Sequence, residues 1–404
     1  MLENGNGVSV NKQEALEYYR ISASEGRVES FYRCAKILDS FNDPEAIDFY
    51  KKAAYFYHHT ESMYEYALIL KNGKGVGVDK DKACEYFKLA SEDGHIDSMN
   101  EYNQLLMDAE GDLNISELRK YLKPAAEKGK IESMYLYGWD LIKGRSYPMN
   151  IKEGVKLIKM SGEKGYLDGL NDYGCFLLVG EYIEKNLQEG LRYLRIAIEK
   201  NHIRSQYNYG KTLYYGQFGA PVDKKEGIKY LKMASDGNYA NACDVYGNIL
   251  LEGIDLPKNE SEAMKYIKKA ADQDNSNCLY IYGGSQFYGI NSLTQNKSDG
   301  LQMIRKAVEK GSTKAKYLLG EIYFDGDYVT QDFNEAVRLY KIAADEGHAN
   351  SMYRYSQCVL ERKCDNANIT EGMRYLKMAC DSGHEEAKNY MRKCIDKVIE
   401  FPVK

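Results

Sequence analysis

The chain has 404 residues, 28% of them charged, and a net charge of −5, with Lys and Glu interleaved rather than gathered in blocks. That balance carries no nucleic-acid footprint; no run of 18 apolar residues could span a bilayer, and Met1 to Val10 lacks the apolar centre of a signal peptide, so the chain reads as soluble. The 9 cysteines fall at unmatched positions, Cys34, Cys84 and Cys380 among them, which points to small buried hydrophobes in a reducing compartment rather than to disulfides.

Leu2-Glu3-Asn4-Gly5-Asn6-Gly7-Val8 matches Leu70-Lys71-Asn72-Gly73-Lys74-Gly75-Val76, so the chain opens just after the place of a helix it lacks, and Gln13 to Glu25 is predicted as a helix without its partner. This start reads as a cut, leaving two alternatives: a longer protein whose C-terminal part this is, or a neighbour that supplies the missing helix. Residues 28 to 59 read as a shortened helix pair. The unit from Thr60 to His95 shows the full pattern. Ser62, Tyr66, Ala67 and Leu70 share one helical face and the run stops at Gly73, a natural left-handed terminator; this is helix A. Asp79 or Asp81 then offers a cap, and Ala83, Phe87 and Ala90 recur at helical spacing until Gly94; this is helix B. Residues 96 to 130 lack the Gly-rich turn and place Pro124 inside helix B, where the missing backbone donor should bend the array.

Onward the pattern is regular. Gly94, Gly129, Gly165, Asn201, Gly237, Asp274, Gly311, Gly347 and Gly383 follow at steps of 35, 36, 36, 36, 37, 37, 36 and 36 residues. A unit of this size cannot bury its own apolar face and must stack on its neighbours. Small residues open each helix A, from Ser30 and Ser62 to Ser351 and Ala387, and a large one follows four residues later, as at Tyr66, Tyr102, Tyr209 and Leu319. Gly138, Gly174, Gly210, Gly247, Gly283 and Gly320 stand beside these inside helices, each at a cost of about 1 kcal/mol against Ala. Close approach of the facing helix B is the expected compensation. The last helix, Glu385 to about Val398, stops at Pro402, and its Lys388, Arg392, Lys393 and Lys397 suit a polar cap.

The composite A-x-x-x-Y-G, a Gly-rich turn such as GKGVGVDKDKA at Gly73 to Ala83, then A-x-x-Y/F-x-x-A-A-x-x-G, resembles the Sel-one-like repeat, a relative of the tetratricopeptide solenoids. The resemblance covers essentially the whole chain. It implies an all-α, right-handed superhelical solenoid of about ten helix pairs forming one domain: a half unit 1–27, units 28–59, 60–95, 96–130, 131–166, 167–202, 203–239, 240–275, 276–312, 313–348 and 349–384, and a C-terminal helix 385–398. It also implies a non-catalytic adaptor that gathers other proteins in its concave groove. Two alternatives stand beside it: the regulatory repeat region of a larger protein such as a kinase, and, with less support, a β-lactam-binding or hydrolysing repeat protein, against which the missing Cys pairs and nucleophile grouping argue. The expected location is cytoplasmic, or the endoplasmic reticulum lumen if a signal sequence lies upstream.

Among candidate sites, His58, His95, His202, His348 and His384 share one repeat position after the turn and read as turn residues, too far apart in adjacent repeats to share a metal. Gly73, Gly75 and Gly77 lack the strand and Lys-Ser/Thr pair of a phosphate loop. Asn114-Ile-Ser116, Asn259-Glu-Ser261, Asn296-Lys-Ser298 and Asn368-Ile-Thr370 fit the glycosylation pattern but sit where helix B needs a cap. No cofactor, metal or small-molecule substrate is expected, and Trp139 is placed in the core. One row remains: two residues after the small opening position stand Tyr32, Tyr64, Tyr135, Tyr207, Tyr280, Tyr317 and Tyr353, with Asn100, Asn171, Asp244 and Asn389 elsewhere. Tyr64, Tyr135, Asn171, Tyr207, Tyr280, Tyr317 and Tyr353 are the candidate protein-binding groove; the alternative is that the same rings only pack adjacent A helices together.

Overall fold

A computed structural model describes residues 3, 10–108, 115–365 and 368–400, with the backbone alone for 107–108, 115–116 and 395–400. Among the described residues the chain is all-helical, and two compact units are distinguished, Met1–Lys200 and Asn201–Lys404. The first holds α1 (Lys12–Ser24), α2 (Val28–Ser40), α3 (Glu45–Tyr57), α4 (Thr60–Asn72), α5 (Lys80–Glu92), α6 (Ile96–Asp108), α7 (Ile115–Glu127), α8 (Ile131–Lys143), α9 (Ile151–Glu163), α10 (Leu167–Val179) and α11 (Leu187–Glu199). The second holds α12 (Ile203–Tyr215), α13 (Lys224–Asp236), α14 (Ala240–Glu252), α15 (Glu260–Ala271), α16 (Ser276–Tyr288), α17 (Lys297–Glu309), α18 (Thr313–Asp325), α19 (Phe333–Asp345), α20 (Ala349–Leu360), α21 (Ile369–Asp381) and α22 (Glu385–Glu400). Within each unit every helix packs against the next in the chain, which is the architecture of an α-solenoid. Even-numbered helices are the A helices and odd-numbered ones the B helices.

Helix length is set at both ends by local chemistry. The side-chain oxygen of Asn or Asp accepts the N–H three residues on: Asp79 from Lys82, Asn186 from Glu189, Asp223 from Glu226 and Asp332 from Glu335. The glycosylation-like asparagines Asn259, Asn296 and Asn368 do the same for Glu262, Asp299 and Glu371. Asn114 lies outside the described residues, as do Leu2, Asn4 to Val8 and Pro402; Lys397 is described in its backbone only. Seven A helices, α4 and the even-numbered α8 to α18, end on a left-handed glycine, as at Gly73 (φ +69°) and Gly253 (φ +70°), whereas α2 ends on Phe41 and α20 on Glu361. One expected terminator moves: Gly237 has φ −72° and Asn238, at φ +64°, takes the left-handed position, because Asn tolerates that region and the turn runs one residue later. The shortened unit keeps two full helices, α2 and α3, and loses residues from the turn between them. Pro124 lies inside α7, which continues to Glu127.

The glycines inside the A helices pack as their cost requires. A Cβ on Gly138 would meet the Gly154 carbonyl oxygen at 2.8 Å, one on Gly174 the Gly190 oxygen at 3.1 Å, and one on Gly210 the Gly227 oxygen at 2.9 Å. The partner across these three crossings is itself glycine, so the helices touch backbone to backbone, whereas Gly247 faces Ile267 and Gly320 the Tyr340 ring. The opening small residues Ser62, Ser133, Ala242 and Ala315 are fully buried, as are Ala83, Phe87 and Ala90 of α5.

Candidate protein-binding face

Six of the row tyrosines pack against the residue that opens the next A helix. In the first unit the Tyr32 ring lies 5.1 Å from His59, Tyr64 4.8 Å from His95 and Tyr135 4.9 Å from Tyr166. In the second, Tyr207 lies 5.2 Å from Tyr239, Tyr317 5.1 Å from His348 and Tyr353 5.1 Å from His384. The rings are held on one side by this contact, and all six remain half-buried with part of their surface in solvent. Burial pushes the Tyr64 and Tyr317 hydroxyls up to about 12, aided by Asp97 and Glu101 beside the first and Glu321 beside the second. Tyr280 and Tyr353 shift the same way, again through burial, so all four remain protonated donors at neutral pH.

The histidines serve this row. His59, His95, His202 and His348 place Nδ1 at 2.8 to 2.9 Å from the hydroxyl of the serine three residues on, Ser62, Ser98, Ser205 and Ser351. In the first of these units the residue is His59, not His58: His58 itself is left-handed (φ +49°) and stands where other repeats have Gly. The spacing His-x-x-Ser was visible in the sequence; it marks a helix cap at His59 and His95, which accept the Ser62 and Ser98 backbone N–H, and a ring platform at His59, His95 and His348.

Two expected residues differ from their assignment. Asn171 is fully buried and its side-chain amide donates to Asp172 at 2.9 Å, so it offers no surface; the small Gly169 beside it lets α10 settle deeply against α9. Trp139 is half-buried rather than core, its indole N–H donating to Asp172 at 2.9 Å, with the Tyr135 hydroxyl on the same carboxylate oxygen at 2.7 Å.

Sequence reasoning also missed two core tyrosines, because their position in helix B is otherwise aliphatic or Phe, as at Phe87, Leu231 and Ile304. Tyr340 is fully buried, yet its hydroxyl reaches the Glu321 carboxylate, which also accepts from Arg354 Nε at 2.7 Å. The Arg354 guanidinium in turn lies 4.4 Å from the Phe324 ring centre. Tyr50, the corresponding residue of α3, is fully buried with no hydrogen-bond partner for its hydroxyl among the described residues; it lines a cavity with Glu65, which pairs with Lys36 at 3.1 Å.

The sequence model of the Sel1 repeat matches residues 1–26, 40–55, 60–95, 167–202, 203–239, 240–275, 276–312, 313–348 and 349–384. The chain belongs to the Sel1 repeat family. Among solved structures it is similar to a protective antigen of uropathogenic Escherichia coli strains that displays an SLR fold, at 20% identity and a TM-score of 0.61, over 92% of this chain and 80% of that one. A Sel1 repeat protein from Oxalobacter formigenes is similar at 17% identity and a TM-score of 0.53, over 81% of this chain and 93% of that one. At these identities the likeness is one of fold. No curated protein matches by sequence. No helix among the described residues is long and apolar enough to cross a membrane.

Proposed function

We propose that this Sel1-repeat chain is a non-catalytic adaptor that holds a segment of another protein against the tyrosine row of its A helices. Sel1-repeat solenoids are typically protein-interaction scaffolds, and the finer reading rests on one observation: consecutive A helices present half-buried rings whose backs are fixed by the next helix while their edges stay open. A ring held in one rotamer loses little entropy on binding, so contacts that are weak singly add along the row. A sum near 8 kcal/mol gives affinity of about 1 μM, with most of it expected from a few central rings. The partner in this reading is a protein.

The test is capture from native lysate by wild type and by a variant with Tyr280, Tyr317 and Tyr353 changed to Ala, after helicity and melting have been matched. Loss of discrete partners supports the reading. A folded variant that captures the same set assigns the row to packing alone.

A further inference from the structure

Within the second unit, Tyr280 differs from the other row tyrosines. Among the described residues no ring lies against it, because α18 opens on Ser312, where α14, α20 and α22 open on Tyr239, His348 and His384 and place those rings against Tyr207, Tyr317 and Tyr353. One turn further along α16 stands Gly284, where the neighbouring helices carry Lys211, Asn248, Glu321 and Gln357. Its companion Gly283 has a packing reason, since a Cβ there would meet the Gly300 oxygen at 3.0 Å and the Ile304 nitrogen at 3.1 Å. Gly284 has none: a Cβ would meet only Leu318 Cδ2, the far end of a flexible side chain, at 3.2 Å. A glycine inside a helix that sacrifices stability without a crossing to fill calls for another explanation.

Gly284 lines a cavity of about 270 Å³ between α16 and α18. Its walls are Tyr280, Ile281, Tyr288, Ile290 and Leu318, with Ser285 and Asn291 as its polar members. Tyr288 and Ile290 stand at its mouth, 44% and 51% exposed. The charges around Tyr288 are carboxylates, Asp325, Glu321 and Asp327. Glu321 pairs with Arg354 at 2.7 Å and Asp327 with Lys297 at 2.6 Å, whereas Asp325 is exposed and makes no ion pair among the described residues. An apolar slot with an uncompensated carboxylate at its edge selects for both hydrophobic bulk and positive charge.

We propose that this slot receives one large apolar side chain, aromatic or long aliphatic, from a partner segment in which that residue is flanked by Lys or Arg. The proposal rests on the adaptor reading above and narrows it to a partner chemistry and a place. The apolar side chain lies between Tyr280 and Tyr288 on the floor left by Gly284, and a flanking cation faces Asp325.

The experiment uses the full chain and a fluorescein-labelled synthetic peptide, Gly-Lys-Lys-Phe-Lys-Lys-Gly, read by fluorescence anisotropy. Two companion peptides replace Phe by Ala, or every Lys by Glu. Wild type is expected to bind the first peptide saturably and each companion at least about 10-fold more weakly. Gly284→Leu, which fills the slot and favours the helix, is expected to remove binding, and Asp325→Lys to weaken it about 10-fold while flattening its salt dependence. If Gly284→Leu loses helicity, Tyr288→Ala takes its place, with the same loss expected. Equal binding of the Phe and Ala peptides, or undiminished binding by a folded Gly284→Leu protein, overturns the proposal. So does a wild type that ignores all three peptides. If that protein still loses its cellular partners when Tyr280, Tyr317 and Tyr353 are truncated, the slot fails and the adaptor reading stands.

Discussion

Replacing Gly154 by Ala should destabilise the protein even though Ala is the better helix former. Propensity alone favours Ala by about 1 kcal/mol. The new Cβ, however, would lie 2.5 Å from the Gly138 oxygen, 2.7 Å from Ile142 Cγ1 and 3.2 Å from the Ile142 nitrogen. Two of these three are backbone atoms that no rotamer can move, so relief comes only if α8 and α9 separate by nearly 1 Å. A gap of that size forfeits a quarter to a half of each dispersion contact it opens, and Val155, Ile158 and Ile142 are the buried side chains along the seam. Overpacking of this kind costs about 1–3 kcal/mol, which offsets the propensity gain of about 1 kcal/mol and leaves a net loss of up to about 2 kcal/mol. Gly284→Ala is the internal control: it gains the same propensity against a single flexible contact and should be neutral or stabilising by up to about 1 kcal/mol. Because repeat arrays lose all-or-none unfolding, urea transitions by circular dichroism should be read alongside amide exchange in Ile131–Lys143 and Ile151–Glu163. Gly154→Ala protection equal to or above wild type would refute the backbone crossing.

Other consequences follow from the caps, the ion pairs and one imidazole. Asn186→Ala should cost about 1 kcal/mol, seen as faster amide exchange at the start of α11, while Asn186→Asp restores the acceptor. Arg354→Ala leaves Glu321, whose side chain is 22% exposed, without its guanidinium and should cost about 2 kcal/mol in urea unfolding, against under about 0.5 kcal/mol for the exposed Arg33 of the Arg33–Glu29 pair. Burial holds the His348 imidazole below its ordinary value of 6.5, with Lys314 and His384 adding to the effect. The unfolded chain therefore takes up a proton there first as pH falls. Stability should decline as pH drops below 6.5, and His348→Asn should reduce that slope in urea titrations across pH 7.5 to 5.

The helical framework was legible because its determinants are local. Small-residue and aromatic spacing, Asn and Asp caps and terminal glycines each act within a turn or two of chain, and the structure places them accordingly. The shift from Gly237 to Asn238 shows where that legibility ends, since either residue accepts positive φ and only the packing of α13 on α14 decides. The tyrosine row could be read from its period, but the burial of Asn171 could not, because it depends on how closely α10 approaches its neighbours. Tyr340 stayed hidden because its hydroxyl reaches the Glu321 carboxylate, 19 residues away in the sequence, and Tyr50 because its hydroxyl is buried with no hydrogen-bond partner among the described residues. The slot at Tyr280 is lined by Gly284 and by Leu318 of the next A helix, 34 residues apart in the sequence and each unremarkable alone.

The central claim is that partners lie on the A-helix face. It is tested most directly by placing a photo-crosslinking phenylalanine analogue at Tyr280 and Tyr317, and separately at exposed Lys265 and Lys268 of α15, in the full chain inside its native cells. Discrete protein adducts from the tyrosine positions, absent from the lysine positions, are the result expected. Adducts confined to Lys265 and Lys268, or equal from both sets, would contradict it.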